Sequence, residues 1–316
     1  MIEVVVREIV QATPAIRRIT LAAANERALP PFQAGAHIDV HLPDGLVRQY
    51  SLTGQPGADQ VYHIGVLNDP ASRGGSQWIH HSLKPGDRLQ ISAPRNLFPL
   101  VETARRHILF AGGIGVTPIL SMARHLSATG ADFEVTYNVR DRADAAFAKD
   151  LAALCPEGRF QLMADGRDAA RADCLRALAL PSPDVHVYVC GPVGYIETVL
   201  DLARQQGWPD SQLHLETFAA APTSSAGNTA FTVRLARSGL TILVAEDQTV
   251  LSALEGSGIH IPSSCEQGIC GTCLTPVISG TPDHRDHYLT DEERATNDQF
   301  TPCCSRSRSV ELVLDL

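Results

Sequence analysis

The chain has 316 residues, enough for two or three domains of ordinary size. Hydrophobic residues make up 44% and charged residues 19%, the balance of a globular protein, and the net charge of −9 argues against nucleic acid as a partner. No apolar run is long enough to span a membrane and the first residues lack a signal-peptide pattern, so no membrane partner and a cytoplasmic location are expected. Eight cysteines in a chain of this length do not form a secreted disulfide scaffold.

The first hundred residues hold short β-like runs at 3–6, 16–21, 37–42, 48–52 and 61–67, punctuated by Pro and Gly. Such spacing predicts a small antiparallel barrel. Within it, Arg48-Gln49-Tyr50-Ser51 combines a guanidinium, an aromatic ring and a hydroxyl on one strand, a set that can hold a phosphate and a planar ring. An ordinary strand with a surface arginine fits the same residues. Arg73-Gly74-Gly75-Ser76 opens a helical stretch at 77–83, where free backbone N–H groups can bind an anion; a plain capped helix start is the alternative. His37 and His41 have the spacing of a helical zinc pair, but a strand would hold them roughly 13 Å apart, and the pair is discounted.

An R-x-Y-S strand followed by a Gly-rich turn resembles the flavin domain of the ferredoxin–NADP reductase superfamily. The Arg73–Ser76 turn and Pro94-Arg-Asn-Leu-Phe-Pro99 are similar to the branch typified by phthalate dioxygenase reductase. That resemblance implies FMN, with Arg48, Gln49, Tyr50 and Ser51 along the flavin and Arg73, Gly74, Gly75 and Ser76 at its phosphate.

The middle of the chain alternates strands and helices: strands at 106–111, 133–138, 160–163, 185–189 and 213–216, helices at 119–126, 145–154 and 193–206. Alternation of this kind predicts a parallel sheet, with ligands outside the carboxyl ends of its strands. Gly112-Gly113-Ile-Gly115-Val-Thr117-Pro118, Arg140 and Cys190-Gly191-Pro192 all fall at such ends. The first of these misses the Rossmann fingerprint, since Pro118 stands where the third glycine belongs. It is similar instead to the nicotinamide domain of the same superfamily. The resemblance implies that Gly113, Gly115, Thr117, Pro118, Arg140, Gly191 and Pro192 contact NADH. It also places Cys190 beside the transferred hydride, as the catalytic position, and lays Phe218 over the flavin.

Residues 219–228 are small and polar without periodicity, a connector. Beyond it come strands at 231–235 and 240–245, a helix at 250–257 and a closing strand at 310–316, similar to the β-grasp fold of plant-type ferredoxins. Cys265, Cys270 and Cys273 are spaced C-x4-C-x2-C, with Cys303-Cys304 further on. This is the plant-type spacing for a [2Fe–2S] cluster, which needs four thiolates. Gly268 and Gly271 let the loop turn tightly. A structural zinc site is the rival, but zinc sites favour two C-x2-4-C pairs. The family's ligand is followed by one residue and then Ser-Arg, which implies Cys303 as the fourth ligand and Cys304 as a spectator. His284 and His287 are placed at the surface. Asp283-His-Arg-Asp286 recurs in the family without a chemical role.

The expected division is a flavin barrel at 1–102, a nicotinamide domain at 103–220, a connector at 221–229 and a ferredoxin domain at 230–316. The resemblance implies a reductase component that moves electrons from NADH through FMN and a [2Fe–2S] cluster to a Rieske-type oxygenase acting on an aromatic or similar small substrate. Two rivals are a non-catalytic redox sensor and a flavoprotein oxidase with a four-cysteine zinc site.

Overall fold

The computed structural model describes residues 1–25, 27–57, 60–70, 72, 74–164, 174–218, 227–263 and 266–316. Arg73, Cys265 and positions 221–226 of the expected connector lie outside the described residues. Packing divides the chain into two compact units, Met1–Leu42 with Gln49–Phe218 and Pro43–Arg48 with Ala219–Leu316.

The chain opens on strands β1 (Ile2–Thr13), β2 (Ile16–Ala23), β3 (His37–His41), β4 (Val47–Ser51) and β5 (Val61–Leu67), a short helix α1 (Gly75–His81) and β6 (Arg88–Ile91). The strands form one sheet in the order β4-β3-β6-β1-β2-β5. A bridge between Leu52, just past β4, and Ile64 of β5 joins its two edges into a barrel. Alternate residues fill the interior, among them Val4 and Val6, Ile19 and Leu21, Ile38 and Val40. Two elements depart from expectation. Strand β1 runs 12 residues, beyond the apolar run, because pairing with β2 keeps its polar half extended. Strand β6 (Arg-Leu-Gln-Ile) has only two apolar residues to signal it, and its pairing with β1 holds it in place.

Next come β7 (Arg106–Gly112), α2 (Val116–Thr129), β8 (Asp132–Val139), α3 (Ala148–Leu154), β9 (Phe160–Ala164), β10 (Val185–Cys190), α4 (Val193–Gln205) and β11 (Leu213–Glu216). All pairings are parallel, in the order β11-β10-β7-β8-β9. The chain proceeds outward from β7 to β9 and then crosses to the other side, so strand order reverses between β7 and β10. Ligands bind at such a switch point. Helix α2 takes Pro118 in its first turn and ends on Gly130, at φ 70°. Helices α2 and α3 share one core with β7 and β8, whereas α4 packs with Ile108, Phe110, Val187 and Val189.

Barrel and parallel sheet share interior. Ile16, Ala34 and Phe98 join Leu109, Val116 and Met122 in one cluster. Asp150 of α3 takes Arg18 of β2 at 2.9 Å and Arg124 of α2 at 3.2 Å, and the Arg18 guanidinium lies 5.0 Å over the Phe147 ring. On the parallel sheet, His186, His214 and Tyr188 stack, with the two histidines 2.9 Å apart through Nδ1 and Nε2.

The second unit contains β12 (Phe231–Leu235), β13 (Thr241–Val244), α5 (Val250–Gly256), β14 (Thr275–Ser279), β15 (Pro282–Asp283), α6 (Asp291–Thr296), β16 (Gln299–Phe300), β17 (Arg306–Ser307) and β18 (Glu311–Leu314). Its five-stranded sheet runs β13-β12-β18-β14-β16, and β15 pairs with β17. Helix α5 supplies Val250, Ala253 and Leu254 to a core with Val233, Phe300, Leu312 and Leu314. Helix α6 starts on a capping box: Thr290 Oγ1 accepts from the Glu293 N–H, and the Glu293 carboxylate accepts from the Thr290 N–H. Among the described residues, no helix is long and apolar enough to cross a membrane.

His37 of β3 is 5% exposed. Burial, aided by Arg95, pushes its imidazole down to about 4. An unfolded histidine protonates near 6.5, so between these values the unfolded chain takes up a proton that the folded chain refuses. Stability is therefore expected to fall as pH drops from about 6.5 towards 4, by about 3 kcal/mol for this one group. Unfolding midpoints measured across that range should fall less steeply in His37→Gln.

Candidate functional site

The switch point brings two loops into backbone contact. A Cβ on Gly115 would lie 2.3 Å from the Cys190 carbonyl oxygen and 2.6 Å from the Gly191 nitrogen. Gly115 has φ −60°, which any residue adopts, so space alone demands glycine here. A Cβ on Gly191 would meet Gly112 Cα and the Tyr195 ring, each at 2.9 Å. The tight packing of Gly191 is thus against the neighbouring loop and Tyr195, whose hydroxyl donates to Asn138 Oδ1 at 2.8 Å. Gly113 is different: its φ is 54° and a Cβ would meet nothing within 4 Å. Thr117 and Pro118 are buried, and the Thr117 hydroxyl donates to the Ile114 carbonyl at 3.0 Å. Arg140 is exposed just beyond β8. Pro192 precedes α4 as its N-cap.

Across from these loops, Ser51 ends β4 and Glu216 ends β11, directly paired with Cys190 on β10. Burial pushes the Glu216 carboxyl up to about 8, offset in part by the nearby Ser51 hydroxyl, so the group is mostly protonated at neutral pH. By distance and angle neither Ser51 Oγ nor Glu216 Oε2 completes a hydrogen bond. Two buried polar atoms left without partners mark a place built for a hydrogen-bonding ligand. Burial, and then the Glu216 charge, pushes the Cys190 thiol well above its usual range, so it stays a neutral thiol. Sequence reasoning misses Glu216; its position two residues before Phe218 at a parallel-strand end is the signal that could have found it. Phe218 is 40% exposed.

The other residues expected at the flavin sit as follows. Arg48 and Tyr50 occupy alternate positions on β4 and are half-buried. Gln49 lies 3.2 Å from His37 Nε2. Gly74 is the left-handed N-cap of α1 at φ 95°, and Gly75 starts that helix two residues earlier than expected. Ser76 Oγ accepts the Asp69 N–H at 3.2 Å. These residues present a hydroxyl, an aromatic ring and an uncapped helix start, which fit a flavin mononucleotide.

In the second unit Cys270, Cys273 and Cys303 are all buried, and Cys273, Cys303 and Cys304 share a cluster with Leu251. Gly268 and Gly271 adopt φ 70° and 66°, as a tight loop of thiolates requires. A Cβ on Gly268 would sit 2.4 Å from Cys304 Sγ, and one on Gly271 2.3 Å from the Tyr288 ring. The Cys304 thiol is engaged inward, 3.3 Å from Thr301 Oγ1. Buried thiols on a left-handed glycine loop fit a [2Fe–2S] cluster. Arg306, the arginine of the Ser-Arg pair, is 5% exposed and spends its guanidinium on backbone carbonyls of Gln248, Thr229 and Ala245 while lying 5.2 Å over the Phe231 ring. It staples the fourth-cysteine segment to the rest of the fold. His284 corrects the surface placement expected for it: its side chain is 9% exposed.

A closed antiparallel barrel, a parallel sheet with a glycine-lined switch point and a thiol-bearing ferredoxin fold, in that order, define an oxidoreductase of the flavin–iron–sulfur class. A model described as a 2Fe-2S iron-sulfur cluster binding domain matches residues 233–308, and one described as a dimethylamine monooxygenase subunit DmmA-like N-terminal domain matches 92–213. The vanillate O-demethylase oxidoreductase of Pseudomonas sp. (strain HR199 / DSM 7063) is 52% identical over 318 residues, covering 100% of both chains. The heme-dependent oxidative N-demethylase beta subunit of Ectopseudomonas mendocina (strain ymp) is 39% identical, over 100% of this chain and 99% of its own. A solved phthalate dioxygenase reductase, described as a modular structure for electron transfer from pyridine nucleotides to [2Fe-2S], aligns with a TM-score of 0.71 at 38% identity, over 99% of this chain and 97% of its own. The chain belongs to the phthalate dioxygenase reductase family.

Gly115→Ala tests the loop contact. The added methyl pushes the two loops apart, and KM for NADH is expected to rise about tenfold, a loss of about 1.4 kcal/mol, while bound flavin is retained. Steady-state cytochrome c reduction and the flavin absorbance read these two outcomes.

Proposed function

We propose that this chain is the reductase component that carries electrons from NADH through FMN and a [2Fe–2S] cluster to a Rieske-type oxygenase acting on an aromatic or similar small substrate. The single observation that carries this reading is the trio Ser51, Cys190 and Glu216 at the switch point, with two of its polar atoms buried and unpartnered. The modules divide at 1–102, 103–220 and 230–316, around a connector at 221–229. Arg48, Gln49, Tyr50, Ser51, Gly74, Gly75 and Ser76, with Arg73 outside the described residues, hold FMN, and Phe218 covers its ring. Gly113, Gly115, Gly191, Pro192 and Arg140 receive the dinucleotide, with Thr117 and Pro118 shaping the loop from within. Cys265, Cys270, Cys273 and Cys303 ligate the irons.

A flavin held there would supply the conversion between a two-electron hydride donor and the single electrons that a [2Fe–2S] cluster requires. The residues contribute alignment and charge control. The backbone stack of Gly115 on Cys190 fixes the approach of the nicotinamide. The neutral thiol of Cys190 gives a close, uncharged wall there. Glu216, protonated at neutral pH, offers a hydrogen-bond donor in a place that excludes water. The 52% identity to the vanillate O-demethylase oxidoreductase, against 39% to the heme-dependent oxidative N-demethylase beta subunit, supports an O-demethylase-type oxygenase as the partner.

The purified chain is expected to be yellow, to carry about two irons, and to reduce cytochrome c with NADH in preference to NADPH. Reduction of a purified Rieske oxygenase, compared with a heme monooxygenase, decides the partner; transfer to the heme protein alone overturns the proposal. Cys303→Ser is expected to lose the visible iron–sulfur bands and Cys304→Ser to keep them, and the reverse result transfers the ligand role to Cys304.

A further inference from the structure

We propose that Asp286 is a positioning residue for the iron–sulfur cluster, tying together the two segments that carry its thiols and holding its reduction potential down with a fixed buried charge. The proposal rests on the cluster reading above. The Asp286 side chain has no exposed surface. Its Oδ2 accepts backbone N–H groups of Tyr288 and Leu289 at 3.1 and 2.8 Å. Its Oδ1 accepts from the Ser305 hydroxyl at 3.4 Å. Ser305, two residues past Cys303, is itself fully buried and accepts the Arg285 N–H at 3.1 Å. On the opposite side, the His287 N–H donates to the Gly268 carbonyl at 2.9 Å, and a Cβ on Gly268 would lie 2.9 Å from Asp286 Cα. Asp286 therefore stands between the 266–273 loop and the 303–306 segment and touches both.

The charge around it is only partly balanced. Arg294 Nη2 lies 3.9 Å from Oδ2 and also donates to the Asp286 carbonyl oxygen. His284 Nδ1 lies 3.7 Å from Oδ1, yet both its ring nitrogens are buried without a hydrogen bond. Asp283 instead binds Arg285 at 2.7 Å and Arg308 at 3.4 Å on the rim. The two aspartates of the Asp283–Asp286 motif thus play different parts. A carboxylate in a water-excluded place acts at low effective dielectric, and net charge near an iron–sulfur cluster is one of the levers on its potential. A negative charge there disfavours the incoming electron.

The test uses the full-length, cluster-loaded protein. Asp286→Asn can keep the hydrogen bonds, since its amide oxygen accepts from Tyr288 and Leu289 and its amide N–H donates to the Ser305 oxygen. The variant is expected to hold about two irons while its reduction equilibrium shifts at least tenfold towards the reduced form, about 59 mV for one electron, in a redox titration of the visible bands. Ser305→Ala keeps the charge and cuts the tie, so iron is expected to pass to a chelator at least threefold faster with a potential shift below tenfold. A potential in Asp286→Asn equal to that of the unaltered protein overturns the proposal. So does an unchanged release rate in Ser305→Ala, which also decides the matter where Asp286→Asn does not accumulate. An unaltered protein that holds zinc and no iron refutes the cluster reading itself, a separate outcome.

Discussion

The nucleotide half of this protein depends on two stretches of backbone lying against each other with no side chain between them. Gly115 rests on the Cys190 carbonyl and Gly191 on Gly112, and both contacts are closer than any Cβ tolerates. A parallel sheet whose strand order reverses between β7 and β10 leaves a crevice there, but topology alone does not set its width. The glycines set it, and Tyr195 holds it, since its ring fills the space beside Gly112 and Gly191 while its hydroxyl reaches Asn138 on β8. The Gly-rich turn is therefore built as much for packing loop on loop as for approach to a phosphate.

The ferredoxin fold solves a different problem. Its segments around the cysteines are short, and β15, β16 and β17 have two residues each. Strands of that length bury little apolar surface, so buried polar contacts hold the cysteine-bearing chain. Arg306 spends its guanidinium on three backbone carbonyls, and Asp286 gathers two backbone N–H groups and a hydroxyl. Hydrogen bonds to charged groups are the strong ones, about 1.5–3 kcal/mol each. They are also directional, and fixed thiol geometry needs direction more than bulk apolar burial.

Much of this was legible because the signals are local. The barrel strands announce themselves as short β-like runs set off by Pro and Gly, β7 and β10 by short apolar runs, and the cysteine loop by spacing that few other sites share. What escaped is non-local. Strand β6 exists because β1 and β3 lie on either side of it. Glu216 becomes a protonated acid only because the fold buries it, against the opposing pull of the Ser51 hydroxyl, 165 positions away in the chain. His284 reads as one more polar loop residue until the chain folds over it. Helix α6 is the exception, since Thr290-Asp-Glu-Glu293 is a capping box in plain view, but six residues show no helical period to draw attention to it.

Some of the places where the chain breaks ordinary rules lie where electrons must pass. A protein that only needed to fold would not leave Ser51 Oγ and Glu216 Oε2 buried without partners, nor His284 with both nitrogens idle beside a buried carboxylate. Each such group costs about 1–3 kcal/mol of stability, and the rest of the fold has to offset it. The two kinds of exception match two kinds of chemical demand. At the switch point the unpartnered atoms are neutral donors and acceptors, suited to a ring that gains a hydride and must be aligned. Beside the cysteines the exception is charge, suited to a centre whose geometry hardly changes and whose potential is what the protein has to set.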